Sequence, residues 1–127
     1  MVKIKLWVDD VRQPPDSSWT VARSVTQAIC MIAKFDPEVI SIDHDIGHEA
    51  WIDDVYKSYP CHETFEAVAW FIAEKYYVLK DIEADKISAR PLLLPPKIII
   101  HSGNPVGAES IKEILARSGI KSLIQPV

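Results

Sequence analysis

Three short apolar runs lie far apart in the sequence, and each ends abruptly in polar residues. "VKIKLWV" (residues 2–8) runs into Asp9–Asp10, "EVISID" (38–43) into His44 and Asp45, and "KIIIH" (97–101) into Ser102. The first alternates Lys with apolar residues, as a strand does. The other two are apolar almost throughout, the composition of strands covered on both faces. Such strands need a sheet interior, and the segments between them determine which kind of sheet.

Those intervening segments read as helices. "SVTQAICMIAKF" (24–35) opens with a capping-box spacing, Ser24 to Gln27, and places Val25, Ala28, Ile29, Ile32 and Phe35 on one face. "HETFEAVAWFIAEKYYVLK" (62–80) carries Phe65, Val68, Ala69, Ile72, Tyr76 and Leu79 on one stripe. Asn104 caps a third helix with Pro105 at its first position, and that helix stops near Gly119. "WTVAR" (19–23) and "SLIQPV" (122–127) supply two further short strands. Between the first two strands Pro14 and Pro15 forbid a helix. Residues 46–61 and 81–96 read as long connecting segments.

Strands alternating with helices predict a parallel α/β sheet with right-handed crossovers. With 127 residues, one domain is expected, large enough to bury a core without crosslinks. Cys30 and Cys61 form no framework or metal-binding spacing, and Cys30 reads as a small core residue. A net charge of -4 argues against a binder of bare nucleic-acid backbone, while leaving room for a small anion in a local pocket. The start of the chain is a strand pattern rather than a leader, and no apolar run approaches a membrane span. A cytoplasmic setting without membrane contact is therefore the expectation.

Ligands of open parallel sheets bind beyond the carboxyl ends of the strands. That is where Asp9–Asp10, Asp43–His44–Asp45 and His101–Ser102 fall. Asp9, Asp10 and Asp43 are hard oxygen donors suited to Mg²⁺ or Mn²⁺; the plainer alternative is a solvated turn. A histidine side chain can give or take a proton at neutral pH, which suits His101 and His44 to acid–base work; the alternative for His44 is a hydrogen-bonded packing role. Asp43 and Asp45 point one way on an extended chain and His44 the other. Asn104 and the start of its helix offer donors to a phosphate oxygen, or Ser102 and Asn104 only cap the helix. Arg12 and Arg23 supply bidentate phosphate contacts, unless Arg23 pairs with a carboxylate. His48, His62 and Trp51 are weaker candidates, Trp51 as a surface on which a base could stack.

The acidic pair after the first strand, the aspartate ending the third and the serine after the fourth resemble the receiver fold of response regulators. Asp9, Asp10, Asp43 and Ser102 hold those positions. The chain departs from true receivers in its Pro-rich loop, which replaces the first helix, and in Pro126, which stands where a lysine would follow the last strand. The ordered set "LWVDDVRQPP", "WTVARS", "ISIDHDIG" and "IIIHSGNPVG" resembles the cyclic-phosphate-processing receiver-like family more closely. This resemblance implies a flavodoxin-like, doubly wound, five-stranded parallel sheet. It also implies hydrolysis of a cyclic phosphate on a nucleotide or RNA end. His44 and His101 would then be acid and base, and Asp9, Asp10 and Asp43 would hold a metal or position water. Arg12, Arg23, Asp45, Ser102 and Asn104 would hold the substrate. The implied partner is a small phosphorylated ligand or a nucleic-acid end. Two other readings remain at this point: a signalling receiver phosphorylated on Asp43, and a module that senses a phosphorylated ligand without turnover.

Overall fold

The computed structural model describes residues 3–45, 64–76 and 94–126. Five strands, β1 (Lys5–Val8), β2 (Trp19–Ala22), β3 (Val39–Ile42), β4 (Lys97–Ile100) and β5 (Ser122–Ile124), form one sheet in the order β2-β1-β3-β4-β5. Every neighbouring pair is parallel. Three helices accompany it: α1 (Val25–Lys34), α2 (Glu66–Lys75) and α3 (Pro105–Arg117). This is the parallel α/β sheet that the strand and helix pattern predicts, in the receiver-like form that the resemblance implies.

Handedness explains how the layers arise. The connections β2–α1–β3, β3–α2–β4 and β4–α3–β5 all advance across the sheet in one direction, so right-handed crossovers place their helices on one face. Leu6, Val8, Ala22, Ile40, Ile42, Ile98 and Ile100 supply the sheet side of that core, and Ala28, Ile32, Val68, Ile72, Ile111 and Leu115 the helix side. The β1–β2 connection runs in the opposite direction and belongs to the other face, where the strand register puts Trp7 and Ser41. Proline keeps this connection a loop. The reversal of direction opens the crevice between β1 and β3, at their carboxyl ends.

The caps follow the sequence closely. Ser24 Oγ accepts from Gln27 N at 3.1 Å, but Gln27 Oε1 reaches back to Arg23 N rather than to the cap residue itself. Asn104 Oδ1 accepts from Gly107 N at 3.1 Å, with Pro105 opening α3. Gly119 has φ 79°, the left-handed turn that ends the helix. Two expectations fail on the α1 surface. Cys30 is exposed, because it lies on the flank of the apolar stripe and not within it. Phe35 is 42% exposed: the helix ends at Lys34, and the extended backbone at Phe35 turns its ring off the stripe. His48, Trp51, Cys61, His62 and Leu79, and most of both long connections, lie outside the described residues. Among the described residues no helix is long and apolar enough to cross a membrane.

Candidate functional site at the β1–β3 crevice

Asp9, Asp43 and His101 are each the first residue past a strand, on neighbouring strands in register. Backbone bonds carry the ladder one step further: Asp43 N donates to Val8 O, and His101 N to Ile42 O. Asp9, Asp10 and Asp43 each offer an oxygen, and these atoms lie within 4.8 Å of one another. A cleft of about 320 Å³ beside them is lined by Asp10, Val11, Arg12, Asp43, Asp45, Gly103 and Asn104.

Asp9 forms the floor of this site. It is fully buried, and its Oδ1 accepts from the amides of Val11 at 3.0 Å and Arg12 at 2.9 Å. Its Oδ2 lies 2.9 Å from His101 Nε2. Burial alone would push its carboxyl up, but the hydrogen bonds from His101 and from the Arg12 and Val11 amides outweigh it and hold the group below the usual carboxylate range. Asp43 moves the other way. Burial and the neighbouring Asp9 charge raise it, and the His44 amide (2.8 Å to its Oδ1) and Arg12 offset this only in part. Two carboxylates with opposite shifts thus stand side by side.

The two histidines lie on opposite sides of the strand ends. His101, 1% exposed, shares the sheet face of Trp7 and stacks on its indole with ring centroids 3.9 Å apart. Its Nδ1 is 2.7 Å from Ser41 Oγ. His44 faces the helices, with Nδ1 2.6 Å from Asp45 and Nε2 2.6 Å from Glu66. Burial would lower the His44 pKa, but the Glu66 and Asp45 carboxylates raise it above the ordinary value. His44 and His101, expected as acid and base, do not meet in this cleft: each ring has both nitrogens engaged, and neither lines it. The alternation of side chains along β3 had already sent His44 away from Asp43.

Other expected residues divide in the same way. Arg12 lines the cleft, with Nη2 3.8 Å from the point a side chain on Gly103 would occupy. Arg23 does not: its guanidinium donates to Asp9 O at 3.1 Å, Arg12 O at 2.7 Å and Gln13 Oε1 at 3.2 Å. It fastens the loop that stands where a helix would, so its proposed phosphate contact gives way to a structural one. Ser102 is buried and accepts from Asn104 N at 3.0 Å, which is the capping alternative. Asn104 both caps α3 and reaches Asp45 Oδ1 at 3.2 Å from the cleft wall. Sequence reasoning missed Glu66, Ser41 and Gly107. Glu66 lies in the run 62–80, which the sequence reading takes only for its apolar stripe.

No curated protein and no solved structure matches the chain. One family model does, that of the cyclic-phosphate processing receiver domain, over residues 4–117. That span takes in β1 to α3 with Asp9, Asp10 and Asp43, and the chain belongs to the cyclic-phosphate processing receiver domain family.

Proposed function

We propose that the chain is a phosphoesterase that opens a cyclic phosphate, on a nucleotide or an RNA end, in the cleft between Asp10, Arg12, Asp43, Asp45 and Gly103. The observation that carries this reading is the meeting of three carboxylates and one guanidinium in a single cleft at the switch point of the sheet. The donor set fits a hard divalent cation, since it offers carboxylate oxygens only and the raised Asp43 is a group whose repulsion a cation relieves. Mg²⁺ or Mn²⁺ held by Asp10 and Asp43, with Asp9 beneath, would neutralise charge on the phosphate.

Arg12 binds the non-bridging phosphate oxygens as a planar two-pronged donor. Asp43, on the cleft wall, orients a water and takes its proton as the water oxygen bonds to phosphorus. The ring P–O bond breaks, and the departing alkoxide needs a proton. Asp45 stands on the cleft wall with the His44 imidazole 2.6 Å behind it, so the pair delivers that proton. The product is an acyclic phosphate monoester. His44 therefore acts through Asp45, and His101 holds Asp9.

A panel of 2′,3′-cyclic nucleotides and cyclic-phosphate-ended oligonucleotides, with Mg²⁺ or Mn²⁺, tests the reading by product analysis. Ring-opened monoester lost in Asp10→Asn supports it. Tight binding of one member without turnover points instead to a sensing module. A stoichiometric mass gain from a small phosphodonor, abolished by Asp43→Asn, points to a signalling receiver.

A further inference from the structure

Ser41 sits in the middle of β3 with its side chain 1% exposed, on the sheet face opposite the helices. A serine buried inside a strand needs a partner for its hydroxyl, and this one has a ring nitrogen: His101 Nδ1 at 2.7 Å. The ring is clamped from the side by Trp7, nearly parallel at 6°. From its far nitrogen the chain of contacts continues to Asp9 Oδ2, and from Asp9 Oδ1 to the amides of Val11 and Arg12. Ser41, His101 and Asp9 are all buried, so no exposed group belongs to this path.

The proton positions follow from the acceptors. Asp9 Oδ1 accepts two main-chain amide hydrogens, the pattern of an acceptor carboxylate, so at its Oδ2 the hydrogen is carried by Nε2 of His101. In the neutral ring Nδ1 is then the acceptor, and the Ser41 hydroxyl is the donor that satisfies it. An ionised carboxylate has about four acceptor positions. Asp9 uses three of them, on Val11, Arg12 and His101, which leaves one for the cluster it forms with Asp10 and Asp43.

We propose that Ser41 is a positioning residue: through His101 it fixes the tautomer and ring orientation that aim the last acceptor position of Asp9 at the carboxylate cluster. The device lies under the site and lines no part of the cleft. Its purpose rests on the cation-binding reading given above; its geometry does not.

Two measurements on the full chain separate these. The first is the ¹⁵N spectrum of the His101 ring without any metal, in the wild type, Ser41→Ala and Ser41→Thr. The wild type should show hydrogen on Nε2 and a hydrogen-bonded Nδ1; Ser41→Ala should lose the Nδ1 bond signature, and Ser41→Thr, which keeps the hydroxyl, should return it. The second is Mn²⁺ affinity by calorimetry, with unfolding curves as the control for folding. Groups that orient a metal ligand typically contribute about 10–100-fold in affinity, and Ser41→Ala should weaken Mn²⁺ by an amount in that range while Ser41→Thr recovers most of it. A wild-type ring protonated on Nδ1, or a ring spectrum unchanged in Ser41→Ala, overturns the relay. A changed ring with unchanged Mn²⁺ affinity overturns its positioning role. No Mn²⁺ binding by the wild type overturns the cation reading, and the ring spectra still decide whether the relay exists.

Discussion

The His44 imidazole fills the space that a side chain on Gly107 would need. A Cβ built on Gly107 would lie 2.9 Å from His44 Cδ2 and closer still to Cγ and Nδ1. This glycine is a matter of close approach, because α3 runs normally through it. Replacing glycine by alanine in a helix usually gains about 0.8–1 kcal/mol, whereas overpacking a tight site costs about 1–3 kcal/mol. The second effect should win. Gly107→Ala is expected to lower stability in urea unfolding, and to raise it when His44→Ala has first cleared the space. An equal cost in both backgrounds would show that the ring is not what excludes the side chain.

His44 also sets a pH dependence. Its folded pKa is raised by Glu66 and Asp45 against the opposing effect of burial. A raised histidine stabilises the fold fully below its unfolded value of about 6.5, and the contribution is lost as pH rises through the folded value. The stability difference between wild type and His44→Gln should therefore be largest near pH 6 and shrink toward pH 9. Urea unfolding at intervals of one pH unit measures it; a constant difference across that range would count against an ionised His44.

Much of this arrangement could be read from residue order alone. The acidic strand ends, Asp9–Asp10 and Asp43, stand out because apolar runs stop there in charge, and the parallel sheet brings the two ends together. The side-chain caps at Ser24 and Asn104 are local chemistry and form as read, although Gln27 turns to Arg23 N and leaves the capping box at Ser24 half made. What could not be read is which nitrogen or guanidinium goes to which partner. Arg23 and Arg12 look alike in the sequence, yet one fastens a loop and the other lines the cleft, and only the reversed β1–β2 connection decides between them. His44 and His101 likewise look like a catalytic pair until the sheet separates them. Ser41, a small polar residue within "VISI", carries no local signal at all, since its partner lies sixty positions away.

Asp43 carries a stability cost of its own. Its carboxyl is raised by burial and by Asp9, so ionising it at neutral pH opposes folding. Asp43→Asn keeps an oxygen for the His44 amide and removes the charge, and should stabilise the metal-free chain by about 0.5–2 kcal/mol, the usual yield of relieving a charge conflict. Added Mg²⁺ should reverse the order, because a cation that binds only the folded wild type raises its stability by mass action. Thermal unfolding with and without Mg²⁺ gives both signs. Parallel responses of the two proteins to Mg²⁺ would remove Asp43 from the cation site.

Arg23 makes a separate prediction about the loop. Three acceptors surround its guanidinium, two of them main-chain carbonyls of the β1–β2 connection. Lysine has the charge but cannot reach all three in one plane. Arg23→Lys should cost about 1–3 kcal/mol, the range for lost hydrogen bonds to a charged group, and should speed amide exchange at Val11 and Arg12 before that of the core strands. If the exchange rates at those two amides keep pace with global unfolding, the loop does not depend on Arg23.

Arg12 should affect catalysis in a way that Arg23 does not. It stands on the cleft wall near Gly103, from the same loop that carries Asp9 and Asp10. A receiver's closing lysine is missing after β5, where Gln125 and Pro126 follow the strand. In the cyclic phosphate one negative charge is spread over two free oxygens, and a second charge develops as the ring opens. A guanidinium that meets both oxygens gains most at the transition state, so its loss should appear mainly in kcat. Removing one such donor typically lowers turnover by about 10²–10³-fold. Arg12→Ala should fall in that range with a modest change in KM, and Arg12→Lys should recover only part, since a point charge meets one oxygen at a time. Its main-chain carbonyl, which accepts from Trp7 Nε1 and Arg23, is unaffected by either substitution, so the unfolding midpoint should hold steady. A rise in KM alone would make Arg12 a binding residue for the ground state, and unchanged kinetics in Arg12→Ala would take it out of the mechanism.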